Sequence, residues 1–204
     1  MIQKIKVKQK GQNKHFNKLI ERVLQALASI ERDLVYIDWK HYSRKRSWWL
    51  ERPFHFEFYH QLRLKFNDKL KNYVIQCEIE KACHDSGVGN LRPDLIFHIP
   101  GKIDGCSQLI NIEIKPVKPN NNTHLKRIIK DFEKLSQLKE KLGYNISILV
   151  LFGQKTELSN TLLFIEGKDS NDKELNLLRN KIINDIKDKN QEIVLIELDV
   201  SILQ

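Results

Sequence analysis

Residues 145–152 read NISILVLF, an almost unbroken apolar run. A run of this length is too short to cross a membrane and offers no polar face to water. It therefore predicts a strand that is buried on both sides, which requires layers of helices above and below a sheet. The chain is thus expected to be an α/β protein, with partner strands and covering helices supplied by the other segments.

The segments before this run predict an antiparallel meander followed by a crossover helix. Apolar alternation bounded by turn signals predicts three consecutive strands at residues 73–80, 94–99 and 109–115. Residues 123–142 have helical spacing, with Thr123 as the expected N-cap and Gly143 as the expected end. Such a helix brings the next strand back parallel to the third one, so the sheet is expected to be mixed.

The remaining segments predict helices and strands on both sides of this core. Helical spacing is present at residues 13–34, 53–70 and 172–189, and strand patterns at 161–166 and 192–200. We interpret the chain as a single domain. It is expected to comprise a core at about 53–152, an N-terminal helical addition at 1–52 and a C-terminal α/β addition at 153–204.

The charge balance favours a polyanionic partner such as nucleic acid. Lys and Arg number 35 against 26 Asp and Glu, a net charge of +9, and each phosphate that a cation neutralises releases condensed counterions. No segment has the roughly 18 to 20 apolar residues of a membrane span, so no membrane partner is expected. The basic N-terminal segment lacks the apolar stretch of a signal peptide, which predicts a cytoplasmic protein. Three cysteines are too few and uneven for a disulfide framework, and they lack a usual zinc-ligand spacing.

Three charged residues interrupt the apolar pattern of the predicted hairpin. Asp94 follows Pro93 at the start of one strand, and Glu113 and Lys115 lie two residues apart on the next. Because side chains alternate along a strand, Glu113 and Lys115 share a face that Asp94 can approach. Two neighbouring carboxylates repel each other, and a hard cation such as Mg²⁺ removes that repulsion. The sequence therefore predicts a cation site that could activate water for phosphodiester hydrolysis.

Pro93-Asp94 followed by Glu113-Ile114-Lys115 on the next strand resembles the PD-(D/E)XK nuclease superfamily, which has the restriction-endonuclease-like fold. The order of elements over about 53–152 resembles the αβββαβ core of that family. The resemblance implies an endonuclease that depends on Mg²⁺ or Mn²⁺. Asp94 and Glu113 would ligate the cation, and Lys115 would orient the attacking water or help to deprotonate it. DNA is the expected substrate, and restriction or another form of defence is the expected role.

Further residues are candidates for the cation site and for contact with nucleic acid. Members of this family often take another carboxylate from an earlier element, and Glu57 on the helix is our candidate, with Glu78 on the first strand as its rival. A lysine stripe along the 123–142 helix and nearby cations could contact phosphates: Arg92, Lys118, Lys126, Lys130 and Lys134.

Several alternatives remain open at this stage. The chain could be a catalytically inactive subunit of the same fold that binds nucleic acid or supports an assembly, or a domain that binds only proteins. Glu113 and Lys115 could also form a solvated strand face, with Asp94 as a turn residue. The sequence does not decide between DNA and RNA, or between a monomer and a homodimer.

Overall fold

The computed structural model describes residues 3–5, 14–38, 47–66, 73–77, 91–101, 108–118, 121–200 and 203. Six helices lie in these segments: α1 Lys14–Ala28, α2 Arg32–Val35, α3 Glu51–Phe66, α4 Asn122–Leu142, α5 Lys155–Ile165 and α6 Lys173–Asp188. Eight strands lie between them: β1 Gln3–Ile5, β2 Tyr36–Asp38, β3 Ser47–Trp49, β4 Val74–Cys77, β5 Leu95–His98, β6 Gln108–Pro116, β7 Ile146–Gly153 and β8 Ile193–Asp199. Within this described part, no helix has the length and apolarity needed to cross a membrane.

The main sheet is mixed and has the strand order β1-β8-β7-β6-β5-β4. Strands β4, β5 and β6 form the predicted antiparallel meander. Helix α4 then crosses over, and β7 pairs parallel with β6 on one side and with β8 on the other. The prediction of an internal strand at the 145–152 run is confirmed, because every residue of β7 is buried. Strands β2 and β3 form a separate two-stranded sheet.

Helices cover both faces of the main sheet. Helices α1 and α3 pack on one face, where Phe54 of α3 stacks on Phe152 of β7 with ring centroids 3.9 Å apart. Helices α4, α5 and α6 cover the other face, where Leu149 and Leu151 of β7 lie in a second apolar cluster. The fold is therefore an α/β sandwich of three layers, with the sheet in the middle.

Several details differ from the sequence-based expectations. Residues 1–52, which are expected to be a helical addition, also supply β1 to the main sheet and the separate β2–β3 pair, and the helix expected at 13–34 divides into α1 and α2. The prediction of a strand at residues 161–166 is wrong, because this segment forms the end of helix α5. Leu158, Thr161 and Leu162 are buried, and their spacing of three and four residues is helical. The next residue, Leu163, is exposed. Thr123 lies in the first turn of α4 rather than at its N-cap. Asn121 is the cap, and its side chain accepts a hydrogen bond from the backbone N–H of His124 at 3.3 Å.

The expected end of α4 is confirmed. Gly143 adopts a left-handed conformation with φ of 70°, and its backbone N–H donates to the carbonyl of Lys139. A residue with a Cβ would be strained there, so glycine suits the position. This cap ends α4 shortly before β7 begins at Ile146.

Candidate functional site

Strands β5 and β6 bring together Asp94, Glu113 and Lys115. Leu95 pairs with Ile112 in the antiparallel register, and one residue further along, Asp94 stands across from Glu113. One carboxylate oxygen of Asp94, Oδ2, accepts a hydrogen bond from the backbone N–H of Ile114 at 2.7 Å. The three charged side chains therefore meet at the carboxyl end of β6, on the face of the sheet that α4 covers.

Glu113 is the most deeply buried charged group of the site. Its exposed fraction is 0%, so it does not belong to a solvated strand face. Burial raises the pKa of Glu113 well above its ordinary range, and the nearby carboxylate of Asp94 raises it further. The ammonium group of Lys134 on α4 opposes this shift, because its Nζ lies 2.6 Å from Oε2 of Glu113. The other oxygen, Oε1, has no hydrogen-bond partner among the described residues.

Lys115 lies between carboxylates from two helices. Its Nζ donates to Oε1 of Glu51 on α3 at 3.2 Å and lies 3.9 Å from Oδ2 of Asp131 on α4. Burial by itself lowers the pKa of Lys115, but the negative charges of Asp94, Asp131 and Glu51 outweigh this effect and raise it. Lys115 is therefore an ammonium ion at neutral pH.

The site has more negative than positive groups. Four carboxylates (Asp94, Glu113, Glu51 and Asp131) face two ammonium groups (Lys115 and Lys134), which leaves a formal charge of −2 when all are ionised. Burial raises the pKa of Asp131 to about 6, although both ammonium groups oppose this shift. Three of the four carboxylates are largely removed from water, and the side chain of Glu51 is 44% exposed. A divalent cation can compensate such an excess of negative charge.

The carboxylates fit the preferences of Mg²⁺ in kind, although they do not form a closed cage. In the described segments, no three His, Cys, Asp or Glu side chains are close enough to form a metal cluster by themselves. Mg²⁺ usually takes only one or two carboxylates from a protein and keeps several waters. Asp94 and Glu113 match that pattern, and the unpartnered Oε1 of Glu113 is an oxygen that a cation could satisfy.

Two histidines line the same region. Nε2 of His55, one turn after Glu51 on α3, lies 3.8 Å from Oδ2 of Asp94 and has no hydrogen-bond partner among the described residues. His124 in the first turn of α4 is buried, and burial together with the charges of Lys118 and Arg127 lowers its pKa to about 4. His124 is therefore neutral at physiological pH and adds no charge to the site.

Among the carboxylates of α3, Glu51 contacts Lys115 of the site, whereas the predicted candidate Glu57 contacts its own helix. Glu57 contacts Gln61 one turn later, whose Nε2 donates to Oε1 of Glu57 at 2.7 Å. Six residues separate Glu51 from Glu57, which is a rotation of about 240° and a rise of about 9 Å along the helix. The two carboxylates therefore point in different directions. The rival candidate, Glu78, lies outside the described residues.

The predicted basic residues divide into two groups. Lys118, Lys126 and Lys130 are exposed near the start of α4 and along it, and Arg92 is exposed just before Asp94. Lys134 instead extends into the site, where its Nζ also donates to the backbone carbonyl of Arg92 at 3.0 Å. These four cations are accessible from solvent, whereas a buried carboxylate holds Lys134 inward.

Sequence reasoning missed Glu51, His55 and Asp131. Asp131 had a visible signal, because it stands three residues after Ile128 and four before Leu135 on the apolar face of α4. An acidic residue at a position that faces the sheet needs a partner, and here that partner is Lys115. Glu51 and His55 had no comparable signal, because their site partners are remote in the sequence.

A scan against protein-family models and searches of curated proteins and of solved structures found no significant match to this chain. The proposals that follow are therefore based on the contacts and charges of the site.

Proposed function

We propose that this chain is a divalent-cation-dependent nuclease of the PD-(D/E)XK type, which hydrolyses phosphodiester bonds of nucleic acid, with DNA as the expected substrate. The observation that carries the proposal is the meeting of Asp94, Glu113 and Lys115 at one end of β6. The order α3-β4-β5-β6-α4-β7 supports it, because it corresponds to the αβββαβ order of the restriction-endonuclease-like fold.

Asp94 and Glu113 would hold the cation, Mg²⁺ or Mn²⁺. When bound, the cation would polarise a phosphate oxygen and make water a better nucleophile near neutral pH. Glu113 lies within β6, and Asp94 immediately precedes β5, so the pairing of the two strands restrains the separation of the carboxylates.

Lys115 would act as a charged hydrogen-bond donor. Because four neighbouring carboxylates keep its pKa raised, Lys115 holds its proton and is unsuited to accept one from water. It can instead orient the attacking water and offset negative charge on the phosphate. Hydrolysis adds one water across a P–O bond and leaves a phosphomonoester and a hydroxyl group, and the released proton passes to solvent. Glu51 and Asp131 restrain the Lys115 side chain for this task.

The exposed cations would bind the rest of the nucleic acid. Lys126 and Lys130 lie one turn apart on the exposed side of α4, and Lys118 precedes this helix. Contacts of this kind bind phosphates without reading the bases, so they position the polymer rather than select a sequence. By analogy with the fold, we propose restriction or another defence against foreign DNA as the biological role.

The direct test is cleavage of polymers by the purified full-length chain. Supercoiled plasmid, single-stranded DNA and RNA are incubated with Mg²⁺ or Mn²⁺, and EDTA is added to a parallel set. We expect cation-dependent cleavage of at least one polymer. Asp94→Ala and Lys115→Ala should each lower the rate on the order of 100-fold or more. The controls are Asp188→Ala and Lys181→Ala on the exposed side of α6, which remove the same charges away from the site.

A second candidate is a nucleic-acid-binding subunit of the same fold without catalysis. The ion pair between Glu113 and Lys134 favours it, because Lys134 already neutralises the carboxylate that a cation would need. This candidate predicts salt-sensitive binding of DNA with no cleavage under any cation. Cleavage that Asp94→Ala and Lys115→Ala leave undiminished would refute the roles proposed for those two residues.

A further inference from the structure

Lys134 behaves differently from the other lysines of its helix face. Its Nζ lies 2.6 Å from Oε2 of Glu113 and 3.0 Å from the backbone carbonyl oxygen of Arg92. Lys126 and Lys130, at the preceding positions of the same stripe, are exposed. Bending the Lys134 side chain inward costs side-chain entropy, so the two contacts must offset that cost.

The two contacts of Lys134 join the two segments that carry the proposed cation ligands. Glu113 belongs to β6, and Arg92 stands two residues before Asp94 at the entry to β5. A single ammonium group therefore connects the carboxylate of one strand to the main chain that leads into the other. Lys115 has no such position, because its contacts are with the carboxylates of Glu51 and Asp131.

The contact also leaves one oxygen of Glu113 in a defined place. Oε2 lies 2.6 Å from Nζ of Lys134, and this ion pair restrains the carboxylate plane. Both carboxylate oxygens are buried and neither accepts a hydrogen bond of ordinary geometry in the described part of the chain, so Oε1 has no partner at all there. A buried oxygen without a partner costs free energy unless something binds it. Carboxylates that ligate metals are usually held by a hydrogen bond on their second oxygen, and loss of that bond weakens metal binding.

We propose that Lys134 is a positioning residue for the cation centre: through Oε2 of Glu113 and the carbonyl of Arg92, it presents Oε1 of Glu113 to a divalent cation beside Asp94. This inference rests on the proposed function, and it gives Lys134 a task other than contact with nucleic-acid phosphates. Lys134 acts on the cation only through Glu113 and touches neither substrate nor the reacting atoms.

The opposite interpretation is that Lys134 competes with the cation for Glu113. An ammonium group that must be displaced would weaken cation binding, so its removal would strengthen it. Positioning and competition thus predict opposite changes in affinity for the same substitution. The sign of the change decides between them.

The experiment measures Mn²⁺ binding in the absence of nucleic acid, by isothermal titration calorimetry and by electron paramagnetic resonance of the bound ion. Lys134→Met keeps most of the side-chain volume and removes the charge. We expect it to weaken Mn²⁺ binding about 10- to 100-fold. Lys134→Arg keeps a cation with several donors and should recover part of the affinity. Lys181→Met removes an exposed lysine from α6 and should leave the affinity unchanged.

A further variant separates positioning from general loss of stability. Leu138→Ala removes a buried side chain one turn after Lys134 and should lower the melting temperature while leaving Mn²⁺ affinity close to that of the wild type. Should Lys134→Met fail to fold, Lys134→Gln replaces it with the same expected loss of affinity.

Each outcome has a distinct meaning. Unchanged or tighter Mn²⁺ binding by Lys134→Met, with binding by the wild type intact, overturns the positioning role and leaves the proposed nuclease standing. If Leu138→Ala weakens binding as much as Lys134→Met does, the effect is one of stability and the positioning role is likewise overturned. Absence of Mn²⁺ binding by the wild type removes the cation from the proposed function, and the positioning role falls with it.

Discussion

Strands β6 and β7 are neighbours in the same sheet, run parallel and differ on one face only. Toward α1 and α3, Ile112 and Ile114 of β6 stand beside Ile148 and Val150 of β7. Toward α4, the register pairs Glu113 with Leu149 and Lys115 with Leu151. The two strands thus place opposite kinds of side chain at the same level and under the same helical layer.

This difference shows which residues the fold requires. The face of β7 demonstrates that leucine satisfies this layer, and buried leucine stabilises it by the removal of apolar area from water. Glu113 gains nothing of that kind and instead costs free energy, because its carboxylate is removed from water. The polar face of β6 is therefore better explained by chemistry than by stability. The predictions below test that contrast.

The largest expected effect comes from moving the charge to the other strand. Leu149→Glu places a carboxylate in an apolar cluster, without the ammonium group that Glu113 has. We expect the free energy of unfolding to fall by about 3–5 kcal/mol, because the buried charge is left without compensation. Urea denaturation followed by circular dichroism at pH 7 measures this change.

The control for that substitution is Leu149→Met, which keeps the apolar character and should cost less than about 1.5 kcal/mol. If Leu149→Glu proved as stable as Leu149→Met, water would have access to β7 on this face. The contrast between the two strands would then lose its basis.

Much of the fold could be predicted because it depends on periodicity. The apolar run of β7, the meander of β4 to β6 and the amphipathic pattern of α4 each specify their own surroundings. The pattern failed at residues 161–166, where a short apolar run is compatible with both a strand and a helix. Only the packing of one side of α5 against the sheet decides for the helix.

The candidate site was predictable only where its residues share a local pattern. Glu113 and Lys115 stand two residues apart on β6, and Asp94 immediately precedes the adjacent strand β5, so their approach follows from alternation and from the strand pairing. Glu51 lies 64 residues before its partner Lys115 in the sequence, so no local pattern predicts their contact. The inward turn of Lys134 was also hidden, because a lysine at the edge of a stripe can face either solvent or a buried carboxylate.

The next effect is a change of stability with pH, caused by Asp131. The pKa of Asp131 is about 6 in the folded protein and near 4 in the unfolded chain. As the pH falls, the folded state therefore binds the proton at a higher pH than the unfolded state does. The stabilising contribution of the protonated group is complete below about pH 4 and is lost as the pH rises to about 6. Asp131→Asn does not titrate, so the variant does not lose this contribution to stability as the pH rises. We therefore expect the stability of the variant, relative to the wild type, to increase from pH 4 to 6 by about 2 kcal/mol.

His124 supplies the matched control with the opposite trend. Its pKa of about 4 in the folded protein lies below the ordinary value near 6.5, so its contribution is complete above about pH 6.5 and is lost as the pH falls. Relative to the wild type, His124→Gln should therefore gain stability toward pH 4. Urea denaturation at several pH values measures both trends. Equal pH dependence for the two variants would show that the cause lies elsewhere in the chain.

The smallest effect is expected when β6 is made to resemble β7. The double variant Glu113→Leu/Lys134→Met replaces the ion pair with apolar side chains of similar volume. Exchanges of this kind are often neutral, or stabilise by about 1–4 kcal/mol. We expect the lower part of that range, because the backbone carbonyl of Arg92 loses the hydrogen bond from Lys134. Urea denaturation of the wild type, both single variants and the double variant gives a double-mutant cycle, which measures the coupling free energy of the pair.

The two single variants separate the cost of losing Glu113 from the cost of losing Lys134. Glu113→Leu leaves Lys134 able to turn outward to solvent, because 20% of its side chain is already exposed, so its cost should be small. Lys134→Met leaves a buried carboxylate without its cation and should be the least stable of the three. If the double variant unfolded several kcal/mol more easily than the wild type, the pair would stabilise the fold. The polar face of β6 would then need no function to explain it.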